Sequence, residues 1–288
     1  MSIYLTGETR AIVQGGTGRI GQVQLRWMLE CGTKVVAVVT PGRGGETAEG
    51  LPVFDSVSQT VKECGADASV LFVPAPLLKD AVTEGIEAGL KLIVAVPEHI
   101  PVHDVMEIRR LARQKGVTLL GPNTPGIISP GIGKLGIMPA NLFKKGSVGL
   151  ISRSGTLSYE VAGYVNEAGM GESTLIGIGG DPVMGTDIPD ILDAFEKDED
   201  TEAVVIIGEI GGSAEEKAVP MIGSLTKPVV VYIAGRSAPA GRKMGHAGAI
   251  IRGSEGTAQA KLDALAGAGA YVAGSIAEIP LLLRKAGV

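Results

Sequence analysis

Short runs of β-branched and other apolar residues alternate with helix-length amphipathic stretches along the chain. An apolar run over 10–14 is followed by a helical pattern over 21–30 and a second apolar run over 34–39, the order of a βαβ unit. Further strands are predicted over 68–73, 90–96 and 117–120, and helices over 56–63, 77–88 and 103–115. The N-terminal part is therefore predicted to form a parallel, doubly wound α/β sheet.

A second series of the same kind follows a stretch rich in glycine and proline, 121–146, which has little periodicity and marks a domain boundary. Strands are predicted over 147–152, 174–178, 203–208, 229–234 and 270–273, and helices over 157–168, 187–195, 215–225, 256–266 and from 276 onward. We therefore expect two α/β domains, 1–122 and 123–288.

Composition narrows the class of protein. The 288 residues, 45% of them hydrophobic, are enough for two buried cores. The apolar runs are far shorter than the ~20 residues of a membrane-spanning helix, and the first residues lack the pattern of a signal peptide. A net charge of −5 without basic runs argues against nucleic acid as a partner. The two cysteines form no CxxC pair, so neither a metal site nor a disulfide is expected. The cytoplasm is the expected compartment.

The first strand runs into a glycine-rich turn, Gln-Gly-Gly-Thr-Gly-Arg-Ile-Gly over 14–21, which feeds a helix. Such a turn directs backbone N–H groups and the helix N-terminus at a phosphate. An NAD enzyme would carry an acid at the end of the second strand, but that end has none and offers Arg43 instead. A guanidinium suits a phosphate monoester, which NADP carries at the 2′ position and coenzyme A at the 3′ position. The alternative is that Arg43 is a solvated turn residue.

A second anion site is predicted at Ser154, Gly155 and Thr156, where a strand gives way to a helix. The alternative is an ordinary helix cap. A catalytic serine is not supported, because the Gly-x-Ser-x-Gly pattern is absent.

His246, one of three histidines, lies in the glycine-rich run 244–251 and is the candidate reaction centre. Small neighbours leave its imidazole accessible to a large ligand, as a nucleophile requires. Glu209 ends an apolar strand, where a carboxylate is costly unless paired. It could hold one imidazole N–H and leave the opposite nitrogen as the nucleophile. The alternatives are a histidine in an ordinary loop and a glutamate that caps a neighbouring helix.

Five motifs in order resemble those of the alpha subunits of succinyl-CoA synthetases, and the resemblance covers essentially the whole chain. They are Gln-Gly-x-Thr-Gly at 14–18, Ser-Arg-Ser-Gly-Thr-Leu at 152–157, Gly-Ile-Gly-Gly-Asp-Pro at 177–182, Gly-Glu-Ile-Gly-Gly at 208–212 and Gly-His-Ala-Gly-Ala-Ile at 245–250. The resemblance implies a Rossmann-like CoA-binding domain followed by a flavodoxin-like doubly wound domain that carries a phosphohistidine.

The resemblance also implies roles for particular residues. His246 corresponds to the phosphorylated histidine, Glu209 to its carboxylate partner, and Tyr159 to a residue near the organic acid. The start of the helix at 154–156 corresponds to the site where the phosphohistidine rests. The residues that correspond to coenzyme A contacts are Thr17, Gly18, Arg19, Ile20, Arg43, Val96, Pro97 and Glu98.

Partners follow from the same resemblance. A beta subunit with a nucleotide-grasping domain would hold ATP or GTP with Mg²⁺, in a heterodimer or heterotetramer, and a small dicarboxylic acid would be the substrate. Arg43 departs from the usual pattern but preserves the charge, so coenzyme A binding is still expected. Pro97, Thr124 and the pair Ala140 and Asn141 also depart from it, which leaves a malate–CoA ligase as an alternative. An NADP-dependent oxidoreductase and a non-catalytic CoA-binding module are more distant alternatives, since neither explains Glu209 together with His246.

Overall fold

The computed structural model describes residues 2–239, 241, 244–251 and 256–288. The chain divides into two compact units. The first unit contains Tyr4–Ala140 and Val183–Thr186, and the second contains Asn141–Pro182 and Asp187–Val288 with the N-terminal segment through Ile3. The chain thus passes from one unit to the other after Ala140, within the predicted boundary stretch 121–146. The domain bounds 1–122 and 123–288 stay a prediction.

The first unit is a parallel sheet with helices on both faces. Its strands are β1 (Ala11–Gln14), β2 (Val35–Val39), β3 (Thr47–Ala48), β4 (Leu51–Phe54), β5 (Ala68–Leu71), β6 (Leu92–Ala95), β7 (Thr118–Leu120), β8 (Gly126–Ser129) and β9 (Gly133–Gly136), and its helices are α1 (Arg19–Glu30), α2 (Val57–Cys64), α3 (Leu78–Glu87) and α4 (Val102–Lys115). The sheet order is β3-β4-β2-β1-β5-β6-β7, with only β3 antiparallel among these strands. The strands β8 and β9 are not part of this sheet and pair with each other as an antiparallel hairpin.

Alternate residues of the strands of this unit enter cores on opposite sides of the sheet. Ile12 and Ile93 pack with Val82 and Ile108 of the helices α3 and α4. On the opposite face, Leu25 of α1 is fully buried. Strands buried on both faces consist almost wholly of apolar residues, which is why the sequence predicted them correctly.

The second unit is also a parallel sheet flanked by helices. Its strands are β10 (Lys145–Ser152), β11 (Glu172–Gly177), β12 (Ala203–Glu209), β13 (Val229–Ala234) and β14 (Tyr271–Val272), and its helices are α5 (Gly155–Glu167), α6 (Ile188–Lys197), α7 (Val219–Ile222), α8 (Ala258–Gly267) and α9 (Ile279–Lys285). The strands follow the order β14-β13-β12-β10-β11, and all of them are parallel. Two parallel α/β units confirm the expected fold class.

The structure differs from the sequence predictions in three places, the first of which is the antiparallel pair β3–β4, which was not predicted. The expected helix over 215–225 is a short 3₁₀ turn, Glu216–Ala218, followed by the single-turn helix α7, because Pro220 suits only the start of a helix and Gly223 follows its end. The aperiodic stretch after residue 121 contains the antiparallel hairpin β8–β9. None of the described helices has the length and apolar character needed to cross a bilayer.

Candidate active site

The histidine segment 244–251 lies at the edge of the second unit's sheet where β12 ends. Backbone hydrogen bonds fold it into a compact loop: the N–H of Met244 donates to the carbonyl of Ala249 at 2.9 Å, and the N–H of Ala249 donates to the carbonyl of His246 at 3.1 Å. The N–H of Gly248 donates to the carbonyl of Gly180 at 3.0 Å, which ties the loop to the segment that follows β11. The loop therefore holds His246 at the carboxyl ends of the strands, where ligands bind in open α/β sheets.

The structure brings His246 and Glu209 into direct contact. Glu209 is the last residue of β12 and is 6% exposed. Its Oε2 lies 2.6 Å from Nδ1 of His246. The imidazole is only partly covered, with 32% of the side chain exposed. A carboxylate that accepts from Nδ1–H leaves Nε2 of a neutral ring with its lone pair, so the ring presents a nucleophilic nitrogen.

The pKa of His246 is raised above its ordinary value. The main cause is the hydrogen bond to Glu209, and partial burial opposes it by disfavouring the charged ring. The charge of Glu209 and, more weakly, that of Asp181 also raise this pKa, whereas the cation of Arg153 lowers it. The site therefore favours a ring that accepts positive charge, as a nitrogen does when it forms a bond to phosphorus.

A buried row of alternating charges lies behind Glu209. Arg153 directly follows β10, and its Nη2 lies 3.1 Å from Oε1 of Glu209, while its Nη1 lies 3.6 Å from Oε1 of Glu215. Lys261 of α8 donates to Oε2 of Glu215. Arg153 is 3% exposed, and Glu215 and Lys261 are fully buried. Nζ of Lys261 also lies 3.7 Å from Oε2 of Glu216. Each buried cation thus has a carboxylate beside it, the arrangement that buried charges require.

Sequence reasoning missed Arg153, Glu215 and Lys261 as parts of this site. Arg153 belongs to the motif at 152–157, but the sequence alone indicated no role for it. Lys261 had a weak signal, because it is a charged residue on the buried face of α8, next to Leu262 and Leu265. Charged groups on such a face are rare unless paired.

The expected second anion site is an open helix start. The hydroxyl of Ser154 caps α5 by accepting from the N–H of Leu157 at 3.3 Å. This satisfies one of the first N–H groups of the helix and leaves others, including those of Gly155 and Thr156, directed away from the helix. Ser154 follows Arg153 at the same strand edge, but in the described residues no hydrogen bond joins 154–156 to His246. Both the cap and an anion site remain compatible with this geometry.

Tyr159 lies on the first turns of α5, half-buried. Its ring meets that of Phe143 edge to face, with the centroids 6.1 Å apart. Burial raises the pKa of its hydroxyl, so the group is a neutral hydrogen-bonding hydroxyl at physiological pH.

In the first unit, the glycine turn after β1 packs too closely for larger residues. Gly15 has a φ of +76°, and a Cβ on Gly21 would lie 2.2 Å from the carbonyl oxygen of Gly15. Gly18 caps α1 without any side-chain hydrogen bond. The start of α1, with Arg19 and the 64% exposed Ile20, therefore offers backbone N–H groups to an anion.

The end of β2 meets this turn. The hydroxyl of Thr17 donates to that of Thr40 at 3.0 Å, and the N–H of Arg43 donates to the carbonyl of Thr40 at 3.1 Å. Arg43 forms an exposed ion pair with Glu46, its Nε lying 3.1 Å from Oε1. The hydrogen bond to Glu46 raises the pKa of Arg43.

Glu46 also lines a cavity of about 510 Å³ together with Thr47, Phe54 and Asp55, among others.

Val96, Pro97 and Glu98 follow directly after β6, at the edge of the sheet where β1 and β2 also end. The carbonyl of Pro97 accepts from the N–H of Asn123 at 2.9 Å, and Glu98 is exposed. Within the described ranges, no group of three or more His, Cys, Asp or Glu side chains could hold a metal ion.

Comparisons with known proteins agree on the family. Residues 6–99 match the family model described as CoA binding domain, and residues 151–271 match that described as CoA-ligase. The chain is 54% identical over 270 residues to a succinate–CoA ligase (ADP-forming) subunit alpha of Methanothermobacter thermautotrophicus, covering 94% of this chain and 92% of that protein. It is 51% identical over 285 residues to such a subunit, alpha 2, of Archaeoglobus fulgidus, covering 99% of each.

The fold also resembles solved structures. ATP citrate lyase of Methanosaeta concilii in complex with (3S)-citryl-CoA has a TM-score of 0.90 and 25% identity, and the match covers 99% of this chain and 50% of the lyase chain. This chain therefore spans about half the length of that lyase. The identity to the ligase subunits, in contrast, extends over nearly the whole of both chains. The protein belongs to the family of succinate–CoA ligase alpha subunits.

Proposed function

We propose that this chain is the phosphoryl-accepting alpha subunit of a nucleoside-diphosphate-forming succinate–CoA ligase. The reaction converts succinate, coenzyme A and a nucleoside triphosphate into succinyl-CoA, nucleoside diphosphate and phosphate. The observation that carries the proposal is the 2.6 Å contact between Glu209 and Nδ1 of the partly exposed His246. The names of the relatives, which are ADP-forming ligases, favour ATP as the nucleotide.

In the first step, Nε2 of His246 attacks the γ-phosphorus of the nucleotide. An N–P bond forms while the bond between this phosphorus and the bridging oxygen breaks, and the nucleoside diphosphate leaves. Nδ1 keeps its proton throughout, and the Glu209 carboxylate stabilises the positive charge that the ring acquires. This role requires Glu209 to remain ionised beside the ring.

In the second step, a carboxylate oxygen of succinate attacks the phosphorus, the N–P bond breaks, and succinyl phosphate forms. The sulfur of coenzyme A then attacks the acyl carbon, and phosphate leaves with the electrons of the C–O bond and takes up the thiol proton. Each step exchanges one activated group for another of similar energy, so the overall reaction should be reversible.

The open start of α5 suits the phosphorylated ring. Ser154, Gly155 and Thr156 would bind the phosphoryl oxygens through backbone N–H groups and hydroxyls. Tyr159, on the same helix, would lie near the organic acid. These assignments depend on the geometry of the helix start and on the family resemblance.

Coenzyme A would bind to the first unit, with its pyrophosphate at the glycine turn and its 3′-phosphate at Arg43. The contacts would come from Thr17, Gly18, Arg19, Ile20, Arg43, Val96, Pro97 and Glu98. Arg43 is already paired with Glu46. The 3′-phosphate would therefore have to displace the carboxylate of Glu46 or bind Arg43 together with it. In functional terms we assign 1–122 to CoA binding and 123–288 to the ligase chemistry.

A second polypeptide would supply the nucleotide. The glycine turn of this chain is assigned to coenzyme A, and its sequence has no Walker-type lysine loop for a triphosphate. A phosphohistidine also carries two negative charges, and one helix terminus is worth only about 0.3–1 kcal/mol against such charge. We therefore assign ATP or GTP, its Mg²⁺ and a second helix start to a beta subunit with a nucleotide-grasping domain, and the assembly to the cytoplasm.

Reconstitution tests this proposal. The purified chain is assayed alone and with a beta subunit for thioester formation from coenzyme A and succinate or malate, with ATP or GTP. We expect turnover only with both subunits and with succinate as the preferred acid. Full turnover by the chain alone, or activity confined to another acid, would contradict the proposal.

A further inference from the structure

Arg153 contacts the carboxylate oxygen of Glu209 that does not face His246. Its Nη2 lies 3.1 Å from Oε1 of Glu209, while Oε2 of the same carboxylate faces Nδ1 of His246 at 2.6 Å. Only 2% of the arginine side chain is exposed. Arg153 therefore cannot reach a substrate from the solvent side, and any influence on the reaction must pass through Glu209.

The guanidinium is itself held by several groups. Its Nη1 donates to the carbonyl of Gly211 at 3.3 Å and lies 3.6 Å from Oε1 of Glu215. Lys261 holds this arrangement from behind, because it donates to the carbonyl of Gly211 at 2.8 Å and to Glu215. Oε1 of Glu209 has no hydrogen-bond partner among the described residues, so Arg153 acts on this carboxylate as a buried positive charge 3.1 Å away. A fixed charge at this distance attracts Oε1 and limits how the carboxylate can turn.

The histidine loop packs against the same guanidinium. A Cβ on Gly248 would lie 2.7 Å from Nη2 of Arg153, so only a glycine lets the loop approach this closely. Arg153 thus contacts both the carboxylate that orients the ring and the loop that carries it.

The chemistry of a neutral imidazole makes this orientation important. One ring nitrogen carries the hydrogen and the other carries the lone pair. An ionised, correctly turned Glu209 keeps the hydrogen on Nδ1. A protonated or rotated Glu209 would let the hydrogen move to Nε2, the form that imidazole prefers in water, and Nε2 could then no longer attack phosphorus.

We propose that Arg153 is a positioning residue for phosphoryl transfer, which fixes Glu209 so that His246 keeps its hydrogen on Nδ1 and its lone pair on Nε2. Glu215 and Lys261 hold Arg153 in place for this purpose. The inference rests on the proposed function for its consequence, but the tautomer itself can be measured without any turnover.

The test uses the full chain labelled with ¹⁵N-histidine. The chain has three histidines. The signals that are missing from the spectrum of His246→Asn are those of the His246 ring. The ¹⁵N shifts of His246 are measured at alkaline pH, where the ring is neutral, in wild type, Arg153→Met and Arg153→Lys. Phosphoryl incorporation with the beta subunit is measured in parallel. Lys227→Met is the matched control, because Lys227 is a half-buried cation of the same unit that donates to the carbonyl of Phe195 at 2.7 Å.

We expect wild type and Lys227→Met to hold the hydrogen on Nδ1. Arg153→Met should move it toward Nε2 and slow phosphoryl incorporation roughly ten-fold or more, and Arg153→Lys should give smaller changes in both. If Arg153→Met does not fold, Arg153→Lys decides, since its rate and its tautomer should change together.

A folded Arg153 variant with slower transfer but the wild-type tautomer would show a merely structural role and overturn the proposal. An Arg153→Met protein with both properties unchanged would also overturn it. If wild-type His246 took up no phosphate, the proposed function would fail, while the tautomer shift would still test the positioning role.

Discussion

The backbone of Gly180 lies directly beneath the ring of His246. A Cβ at this position would be 2.4 Å from Cγ and 2.6 Å from Nδ1 of the imidazole. The carbonyl of the same glycine accepts the N–H of Gly248 from the histidine loop. The segment after β11 thus sets both the height of the ring above the sheet and the position of its loop.

Gly180→Ala should therefore displace the ring from Glu209. Gly180 does not have a positive φ, so the added methyl acts through contact with the ring and not through backbone strain. We expect phosphorylation of His246 to fall roughly ten-fold or more, with little change in the melting temperature. Gly163→Ala is the control, because nothing lies within 4 Å of its Cβ and a helical position favours alanine. Equal phosphorylation of the two variants would contradict this geometry.

Glu209→Gln should change both the rate and its pH dependence. Since the neutral ring is the nucleophile, the rate should rise with pH through the raised pKa of His246. Removing the carboxylate lowers that pKa, so the profile should shift to lower pH while the maximum rate falls by about 100-fold or more. Rapid-quench measurements of phosphate incorporation across pH test this. Glu202→Gln, an exposed carboxylate just before the same strand, should keep the wild-type profile; an unshifted profile in Glu209→Gln would be evidence against the orienting role.

Arg43→Ala should weaken coenzyme A and leave dephospho-CoA unaffected. A charged hydrogen bond is worth about 1.5–3 kcal/mol, so the dissociation constant should rise roughly ten-fold or more. Calorimetric titration of the chain measures both ligands. Arg26→Ala provides the control, because Arg26 forms a similar exposed pair with Glu49 at 2.8 Å. Equal affinity of wild type for both forms of coenzyme A would remove Arg43 from the site, and tighter binding of NADP would favour an oxidoreductase.

Glu172 should make stability depend on pH. Burial raises its pKa to about 7, and its Oε1 is buried without a hydrogen-bond partner among the described residues. The native state therefore favours the protonated form of Glu172. The contribution of this carboxyl group to stability is complete at pH values below its pKa in the unfolded chain, about 4.3, and is lost as the pH rises through its native pKa of about 7.

Glu172→Gln should remove this loss and exceed wild type in the free energy of unfolding at pH values above 7 by on the order of 2–3 kcal/mol. Urea unfolding at several pH values measures the difference, with Glu199→Gln as an exposed control. A wild-type pH dependence in Glu172→Gln would show that another group is responsible.

The sequence predicted parallel strands such as β1 and β12 because Ile12 and Ile206 lie in uninterrupted apolar runs. It missed the parallel strand β4, which is only partly buried and contains Pro52. It missed the hairpin β8–β9 because glycines interrupt it. Gly126 has a φ of +107°, and a Cβ there would lie 2.0 Å from the carbonyl oxygen of Leu135. The close approach of the two strands thus requires glycine, the residue type that in a sequence indicates a loop.

Only those site residues that have a local signal in the sequence were predicted. His246 was recognised because it lies in a glycine-rich run, and Glu209 because it ends an apolar strand. Arg153 and Lys261 act through partners 58 and 46 residues away, Gly211 and Glu215 respectively. No local pattern connects them, so only the folded chain shows that these charges balance one another.

Phosphorylation of His246 is the central claim. The chain is mixed with its beta subunit and ATP or GTP labelled at the γ-phosphate, and the product is digested and mapped. We predict label that is stable to base, labile to acid and located on Nε2 of His246, and no label in His246→Asn. Label on another residue, or equal labelling of wild type and His246→Asn, would contradict the account.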